Sequence, residues 1–326
     1  MIISRTPLRM SFTGGGSDLP AFYRQYGGAV ISTTIDKYIY VNVNKKFDNG
    51  IRIGYSKNEE VYSVADIEHR IVRTAMEYLG ITGGIEITTI GDIPSKGTGL
   101  GSSSSFTVGL LHALNAFLGR YVSSEQLGAD SSHIEIELCG EPIGKQDQYA
   151  AAFGGFNLIE FNCDNSVVVS PIVCHLDTLA EIEQNIIVFY TGLTRSASTL
   201  LAKQSEVISS NLDKQQVMQR MVSLTYDLKR ELDRNHTHSF GEILHENWLL
   251  KKSLAADIST PEIDEWYNDA INKGAIGGKI LGAGNGGFLM FYAPKTRHIH
   301  IRQTLSMLRH YDIKFDRSGS RIIFYH

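Results

Sequence analysis

The apolar positions of the first ninety or so residues fall in short β-branched runs: AVISTTI at 29–35, YIYVNVN at 38–44 and IEITTI at 85–90. Runs of this kind predict strands. One helical pattern interrupts them over 66–79 and stops at Gly80, the residue type that most readily closes a helix in the left-handed conformation. Two more helical patterns cover 106–118 and 124–138, and GEPIGKQDQYAAAFGG at 140–155 leads into a strand candidate, FNLIEF. From about 195 to 272 the pattern is mostly helical, with long charged-apolar stretches such as QRMVSLTYDLKRELDR and FGEILHENWLLKKSL. The tail reads strand, helix, strand: GGFLMFY, TRHIHIRQTLSMLRHY and DIKFDRSGSRIIFYH. No internal repeat, low-complexity tract or long linker occurs. The shift from strand-rich to helix-rich sequence predicts a domain boundary near 175.

Residues 94–105, PSKGTGLGSSSS, run straight into the helical pattern FTVGLLHALNAFL. Gly97, Gly99 and Gly101 let backbone N–H groups turn inward with no side chain in the way. A helix behind such a loop directs its unpaired N–H groups and its positive dipole end at the loop, a setting for phosphate. Ser102, Ser103, Ser104 and Ser105 add hydroxyls suited to capping the helix, touching a phosphate oxygen or ligating a divalent cation. Two familiar nucleotide motifs are excluded. A Walker A loop has Lys-Ser or Lys-Thr directly after its last glycine, whereas Lys96 precedes the glycines. The GxGxxG string at Gly282, Gly284 and Gly287 is followed by a short apolar strand pattern, with too little chain left for a Rossmann sheet.

Composition narrows the partners. The chain has 326 residues, 42% of them apolar, enough for two domains or one large one with real cores. The net charge of −4 and dispersed basic residues give no nucleic-acid footprint. No apolar run approaches the roughly 18–20 residues that span a bilayer, and MIISRTPLRM lacks the regions of a signal peptide. Cys139, Cys163 and Cys174, in no CxxC spacing, predict reduced thiols and a cytoplasmic address. His133 and Glu135 form an isolated H-x-E without the cysteine pair of a zinc deaminase, so His133 reads as a helix-surface or packed residue.

Three segments rich in glycine and small polar residues are spread along the chain: RTPLRMSFTGGGSDLP at 5–20, the 94–105 loop, and GGKILGAGNGGF at 277–288. In this order they resemble the three motifs of the GHMP kinase superfamily, whose signature loop here reads PSKGTGLGSSS at 94–104. The resemblance implies an α+β, two-domain GHMP kinase fold. Its N-terminal domain, 1–175, would be ribosomal protein S5 domain 2-like, and its C-terminal domain, 176–326, ferredoxin-like. It implies ATP and Mg²⁺ as cofactors and phosphoryl transfer to an alcohol, in which the protein mainly positions and stabilises charge.

Carried over residue by residue, the resemblance assigns Pro94, Gly97, Thr98, Gly99, Leu100, Gly101, Ser102, Ser103 and Ser104 to the nucleotide. Ser103 and Glu135 would hold the metal. Glu137, about 200° around a helix from Glu135, is the near alternative. Asp147, in the run Gly144, Lys145, Gln146, Asp147, Gln148, falls on the catalytic aspartate that takes or stabilises the acceptor proton. Arg9 falls on the cation that draws charge off the transferring phosphoryl group; Arg5 is offset from the motif. Gly15, Gly16, Asp18, Gly282, Ala283 and Gly284 fall on the acceptor side, with Gly286 on the same wall. Lys145 departs from the family's small or apolar residue and faces either the γ-phosphate or solvent.

The run PLRMSFTGGGSDLP, with YTGLTRSAS at 190–198, is most similar to the branch of heptose 7-phosphate kinases and L-fucokinases. That likeness implies the anomeric hydroxyl of a sugar phosphate as acceptor, D-glycero-D-manno-heptose 7-phosphate foremost, with L-fucose the alternative. The triple glycine at 14–16 would leave room for a longer substrate and line an anion nest. Arg195, with Ser196 and Ser198, suits a terminal phosphate. A homoserine or isoprenoid-alcohol kinase and a non-catalytic sugar sensor compete with this reading; the intact set of Asp147, Arg9, Ser103 and Glu135 speaks against the sensor. The expected partners are a small sugar phosphate and ATP, with no nucleic acid and no membrane. Monomer or homodimer is left open.

Overall fold

In the computed structural model, which describes residues 1–93, 97–194 and 197–326, the two longest strands, Ile2–Thr13 and Gly28–Lys45, pair antiparallel from Ile2 opposite Val43 to Thr13 opposite Ile31. They form the centre of a nine-stranded sheet. Gly28–Lys45 is long enough to pair three segments on its other edge, Phe156–Phe161 along its first part, Phe315–Asp316 at Thr34 and Ile35, and Ile85–Gly91 along its last part. Ile51–Gly54 then adds in parallel to Ile85–Gly91, and Asn58–Val61 closes that side. The predicted β-branched runs are these strands. Helices Arg70–Leu79, Ser102–Phe117 and Gln146–Phe153 bury their apolar residues in this domain's core. Gly80 ends the first of them with φ 72°, as its sequence position predicts.

A second sheet has four antiparallel strands in the order Arg309–Tyr311, Ile186–Tyr190, Phe288–Tyr292, Gly277–Ile280. Counted along the chain this is the 4-1-3-2 order of a ferredoxin-like domain. Its first crossover is expanded into four helices, Ala197–Ser210, Leu212–Asp233, Phe240–Leu254 and Pro261–Asn272, and its second holds the short helix His298–Thr304.

The division at 175/176 needs correcting at the tail. Phe315–Asp316 pairs with Gly28–Lys45, and Arg321–Tyr325 lies against Ile2–Thr13 with Ile2 opposite Tyr325. The chain therefore returns to its first sheet, where the tail strand satisfies the free edge of Ile2–Thr13. We assign this tail to the N-terminal domain. The halves share a core: Phe12 meets Phe156, Phe240 and Phe315 edge-on at 5.3–6.2 Å. Among the described residues no helix is long and apolar enough to cross a membrane.

Candidate active site

The glycine loop, the start of helix Ser102–Phe117, the first turn of Gln146–Phe153 and the 282–283 turn enclose a cleft of about 330 Å³. A larger groove of about 540 Å³, lined by Phe22, Tyr26, Val222, Tyr226 and Arg230 among others, has no carboxylate in its lining. The carboxylates Asp18, Glu135, Glu141 and Asp147, with Arg9 and Lys251, line the smaller cleft.

Gly97, Thr98, Gly99, Gly101, Ser102, Ser103 and Ser104 all line it. Leu100 is buried, and its carbonyl accepts from the Arg9 N–H at 3.0 Å. Pro94 lies outside the described residues. The loop is tight because backbone packs on backbone. A Cβ on Gly99 would lie 2.1 Å from the Leu281 carbonyl oxygen, and one on Gly282 2.6 Å from Gly99 Cα. The third motif thus serves as the wall against which the loop is moulded. No serine caps the helix: the N-cap is Gly101, in the left-handed region. The serines have other tasks, Ser104 Oγ donating to Glu135 at 2.8 Å and Ser105 Oγ to the Pro7 carbonyl at 2.8 Å, while Ser103 is exposed at the cleft. Thr98 Oγ1 is buried without a partner among the described residues.

Arg9 and Asp147 meet at the base of the cleft. Arg9 Nε donates to Asp147 Oδ1 at 2.7 Å and Nη2 to Oδ2 at 2.8 Å, a two-point contact that fixes both planes, while Nη1 donates to the Gly99 carbonyl at 2.6 Å. Arg9 is almost fully buried, whereas the Asp147 side chain stays 23% exposed, open to the cleft. Beside them, buried Asp18 accepts from the N–H groups of Gly16 (3.0 Å) and Gln146 (3.1 Å). Burial, then the Asp147 carboxylate, push the Asp18 pKa above the usual range, against those two hydrogen bonds. A Cβ on Gly144 would lie 1.9 Å from Asp18 Oδ2, so the glycine before Lys145 is what lets the two segments touch.

Glu135 sits in a π-helical turn, His133–Leu138, that follows Ser124–Ser132. The wider turn changes the helix phase, and such turns recur at functional sites. Glu135 is buried, its Oε1 accepting from Thr107 Oγ1 at 2.9 Å and its Oε2 from Ser104 Oγ and Gln148 Nε2. Burial raises its pKa to about 7 despite these three donors. Glu137 points away, 2.9 Å from His133 Nδ1 on the exposed face. Of the two glutamates only Glu135 reaches the cleft, and the serine in contact with it is Ser104 rather than Ser103.

Several expectations need revision. Gly14 N donates to Asn247 Oδ1 (3.1 Å) and Gly16 N to Asp18, so these N–H groups are consumed inside the protein and no open anion nest is formed from them. Gly16 does line the cleft, while buried Gly15 does not. Gly14 is required instead by the Ala29 carbonyl, 1.9 Å from where its Cβ would fall. Gly282 and Ala283 line the cleft, but Gly284 packs on Ile258 and Gly286 on Leu193. Lys145 turns away, donating to the Asn165 carbonyl at 3.2 Å over the Tyr23 ring. Arg5 lies over Tyr38, outside the cleft. Arg195 and Ser196 lie outside the described residues; Ser198 Oγ donates to Glu141 Oε2 at 2.8 Å across the cleft mouth.

Two further residues line the cleft unannounced by the motifs: Gln146, whose Oε1 is buried without a partner among the described residues, and Lys251. Lys251 carried a signal. It continues the buried stripe Leu244, Asn247, Trp248, Leu254 of its helix, at helical spacing. Its Nζ donates to the Gly15 carbonyl at 3.1 Å, and burial lowers its pKa to about 8, partly countered by Asp18.

A glycine cradle at a helix start, beside an Arg–Asp pair open to the same cleft, is the layout of a small-molecule phosphotransferase. The chain matches the GHMP kinases N terminal domain over residues 66–155 and the GHMP kinases C terminal domain over 228–305, together just over half of its length. It belongs to the GHMP kinases, phosphotransferases that take ATP as phosphate donor. It is similar to the D-glycero-alpha-D-manno-heptose 7-phosphate kinase of Campylobacter jejuni, 29% identical over 98% of this chain and 97% of that protein. It is 26% identical to the L-fucokinase/L-fucose-1-P guanylyltransferase of Bacteroides fragilis over 94% of this chain but 36% of that longer protein. The crystal structure of a D-glycero-D-manno-heptose 1-phosphate kinase from Bacteroides thetaiotaomicron superposes with a TM-score of 0.81 at 26% identity, covering 100% of both chains.

Proposed function

We propose that the protein transfers the γ-phosphoryl group of ATP to the anomeric hydroxyl of a sugar that already bears a phosphate. The foremost acceptor is D-glycero-D-manno-heptose 7-phosphate, giving the 1,7-bisphosphate for nucleotide-activated heptose. The observation that carries the chemistry is the two-point contact between buried Arg9 and cleft-facing Asp147, with Asp18 beside it and the glycine loop opposite. End-to-end similarity to heptose-phosphate kinases supports the acceptor.

In this reading residues 97–104 hold the nucleotide phosphates, and Thr98 Oγ1, buried without a partner among the described residues, bonds a phosphate oxygen. Arg9 holds Asp147 in one orientation, so that its carboxylate takes or stabilises the proton of the attacking hydroxyl. The new O–P bond forms as the bond to the ADP oxygen breaks. Asp18 and Gln146 Oε1 accept from the other sugar hydroxyls.

The donor set also suits Mg²⁺. Buried Glu135 has no cationic side chain paired with it among the described residues, and exposed Ser103 shares its cleft. No cluster of three or more His, Cys, Asp or Glu able to hold a metal alone occurs among the described residues, so the ion would be shared with nucleotide phosphates. When bound, it would neutralise charge on those phosphates.

The test is ATP consumption across free and phosphorylated hexoses and heptoses, with the product's phosphate position read by phosphorus NMR. Heptose 7-phosphate is expected to be the best acceptor, phosphorylated at the anomeric oxygen. We assign the terminal phosphate to Arg195, so Arg195→Ala should lower kcat/KM about ten- to a hundredfold with that substrate and hardly at all with the unphosphorylated sugar. If L-fucose or another free sugar is preferred by the wild type, the fucokinase reading replaces this one.

A further inference from the structure

Two lysines of the C-terminal half are buried against the first motif, and neither has a carboxylate within ion-pair distance among the described residues. Lys279, on Gly277–Ile280, donates to the carbonyls of Ser11 (2.9 Å) and Phe12 (3.2 Å) and does not line the cleft. Its role is met by those contacts. Lys251, on helix Phe240–Leu254, lines the cleft and spends one of its three donors on the Gly15 carbonyl. No other hydrogen bond from it occurs among the described residues.

Arg9 offers a contrast, because three of its five N–H groups are committed to Asp147 and Gly99, in a contact that holds the whole guanidinium in one plane. Lys251 is a cleft-lining cation with two of its three donors uncommitted among the described residues, bound at Gly15, next to the Gly16 whose N–H holds Asp18 Oδ1, and it lines the same cleft as Asp18. An ammonium beside a carboxylate presents a donor and an acceptor together, which matches a sugar hydroxyl. A phosphate dianion in the same place would face the Asp18 and Asp147 carboxylates as well as Lys251 and Arg9, so its double charge would gain less there than a neutral hydroxyl that both donates and accepts.

We propose that Lys251 is an acceptor-binding residue, its ammonium donating to one hydroxyl of the sugar beside Asp18 and so turning the anomeric hydroxyl toward Asp147. This rests on the sugar-kinase reading. The wild-type acceptor panel tests that reading first, so that inactivity on every sugar overturns the function, whereas the outcomes below concern Lys251 alone.

In Lys251→Met, the KM for the acceptor should rise about ten- to a hundredfold while the KM for ATP stays within twofold. The rise should be the same for phosphorylated and unphosphorylated sugars. A deoxy series identifies the partner: one deoxy sugar should be as poor for the wild type as the parent is for Lys251→Met, and should lose nothing further in the variant. Lys251→Gln, which keeps an N–H for the Gly15 carbonyl, serves if the methionine variant does not fold. Lys252→Met, the neighbour paired with Asp264, should match the wild type. An unchanged acceptor KM in a folded variant overturns the proposal. So does a loss confined to phosphorylated acceptors, or a penalty that adds in full to every deoxy substitution.

Discussion

Replacing Glu135 with glutamine is expected to stabilise the nucleotide-free protein while weakening its use of Mg²⁺. The carboxylate is buried, and its pKa is raised from the ordinary 4.5 to about 7 by that burial. The folded protein therefore holds this proton more tightly than the unfolded chain does. The resulting stability is full below pH 4.5 and is lost as pH rises through 7. At about 1.36 kcal/mol per pH unit, the ionised side chain lowers stability by about 3 kcal/mol at pH 8 and about 1 kcal/mol at pH 5.5. Glutamine removes the charge without stranding its neighbours. Its carbonyl can take the donors Ser104 and Gln148, and its NH₂ can face Thr107 Oγ1, which then donates to the Ser103 carbonyl at 3.2 Å. Urea unfolding without nucleotide should show the variant gaining about those amounts at the two pH values. With ATP present, Mg²⁺ should raise the wild-type midpoint and leave the variant's nearly unmoved. A variant no more stable than the wild type at pH 8, or one whose gain is the same at both pH values, would refute the reasoning.

Asp147→Asn should keep the fold and bind ATP but lose about 10²–10⁴ in kcat, the span of a general base; more than a tenth of wild-type turnover would exclude Asp147 from that role. Ser103→Ala and Glu135→Ala should each raise the Mg²⁺ concentration for half-maximal rate, while Glu137→Ala, out on the exposed face with His133, should leave it unchanged. A larger shift in Glu137→Ala would place the metal on the wrong side of the helix. Gly282→Ala should lower stability by about 1–3 kcal/mol and raise the KM for ATP, because its Cβ would fall 2.6 Å from Gly99 Cα at a φ of 80°. Thermal melts and initial rates decide it, and a variant with both unchanged would mean that the third motif does not mould the loop.

The elements with short-range causes were readable along the chain. The glycine loop needs consecutive backbone turns that only glycine makes cheaply, so Gly97, Gly99 and Gly101 advertise it without reference to the rest of the molecule. Gly80 ends its helix for the same kind of local reason. The strands announce themselves by β-branched runs, and the third motif by its glycines. Arg9, Asp18 and Asp147 were singled out because the family resemblance carries its motif positions onto them, next to those segments.

Packing decided the rest. The choice between Glu135 and Glu137 is a matter of helix phase, and a π turn with Ser104, Thr107 and Gln148 around it set that phase. The order of the serines behind the loop carried no sign that Ser104, not Ser103, would meet the carboxylate. Lys251 shares the helical spacing of a buried stripe, but only packing shows where its ammonium ends, on the Gly15 carbonyl, while neighbouring Lys252 pairs with Asp264. The return of the tail to the first sheet was likewise invisible, because strand pairing across more than three hundred residues leaves no local mark. By itself, then, the sequence determined the segments whose conformation depends on their own side chains. The tertiary structure alone decided which charges share the cleft, since the low-dielectric contacts that set their pairing and their pKa values join residues far apart in the chain.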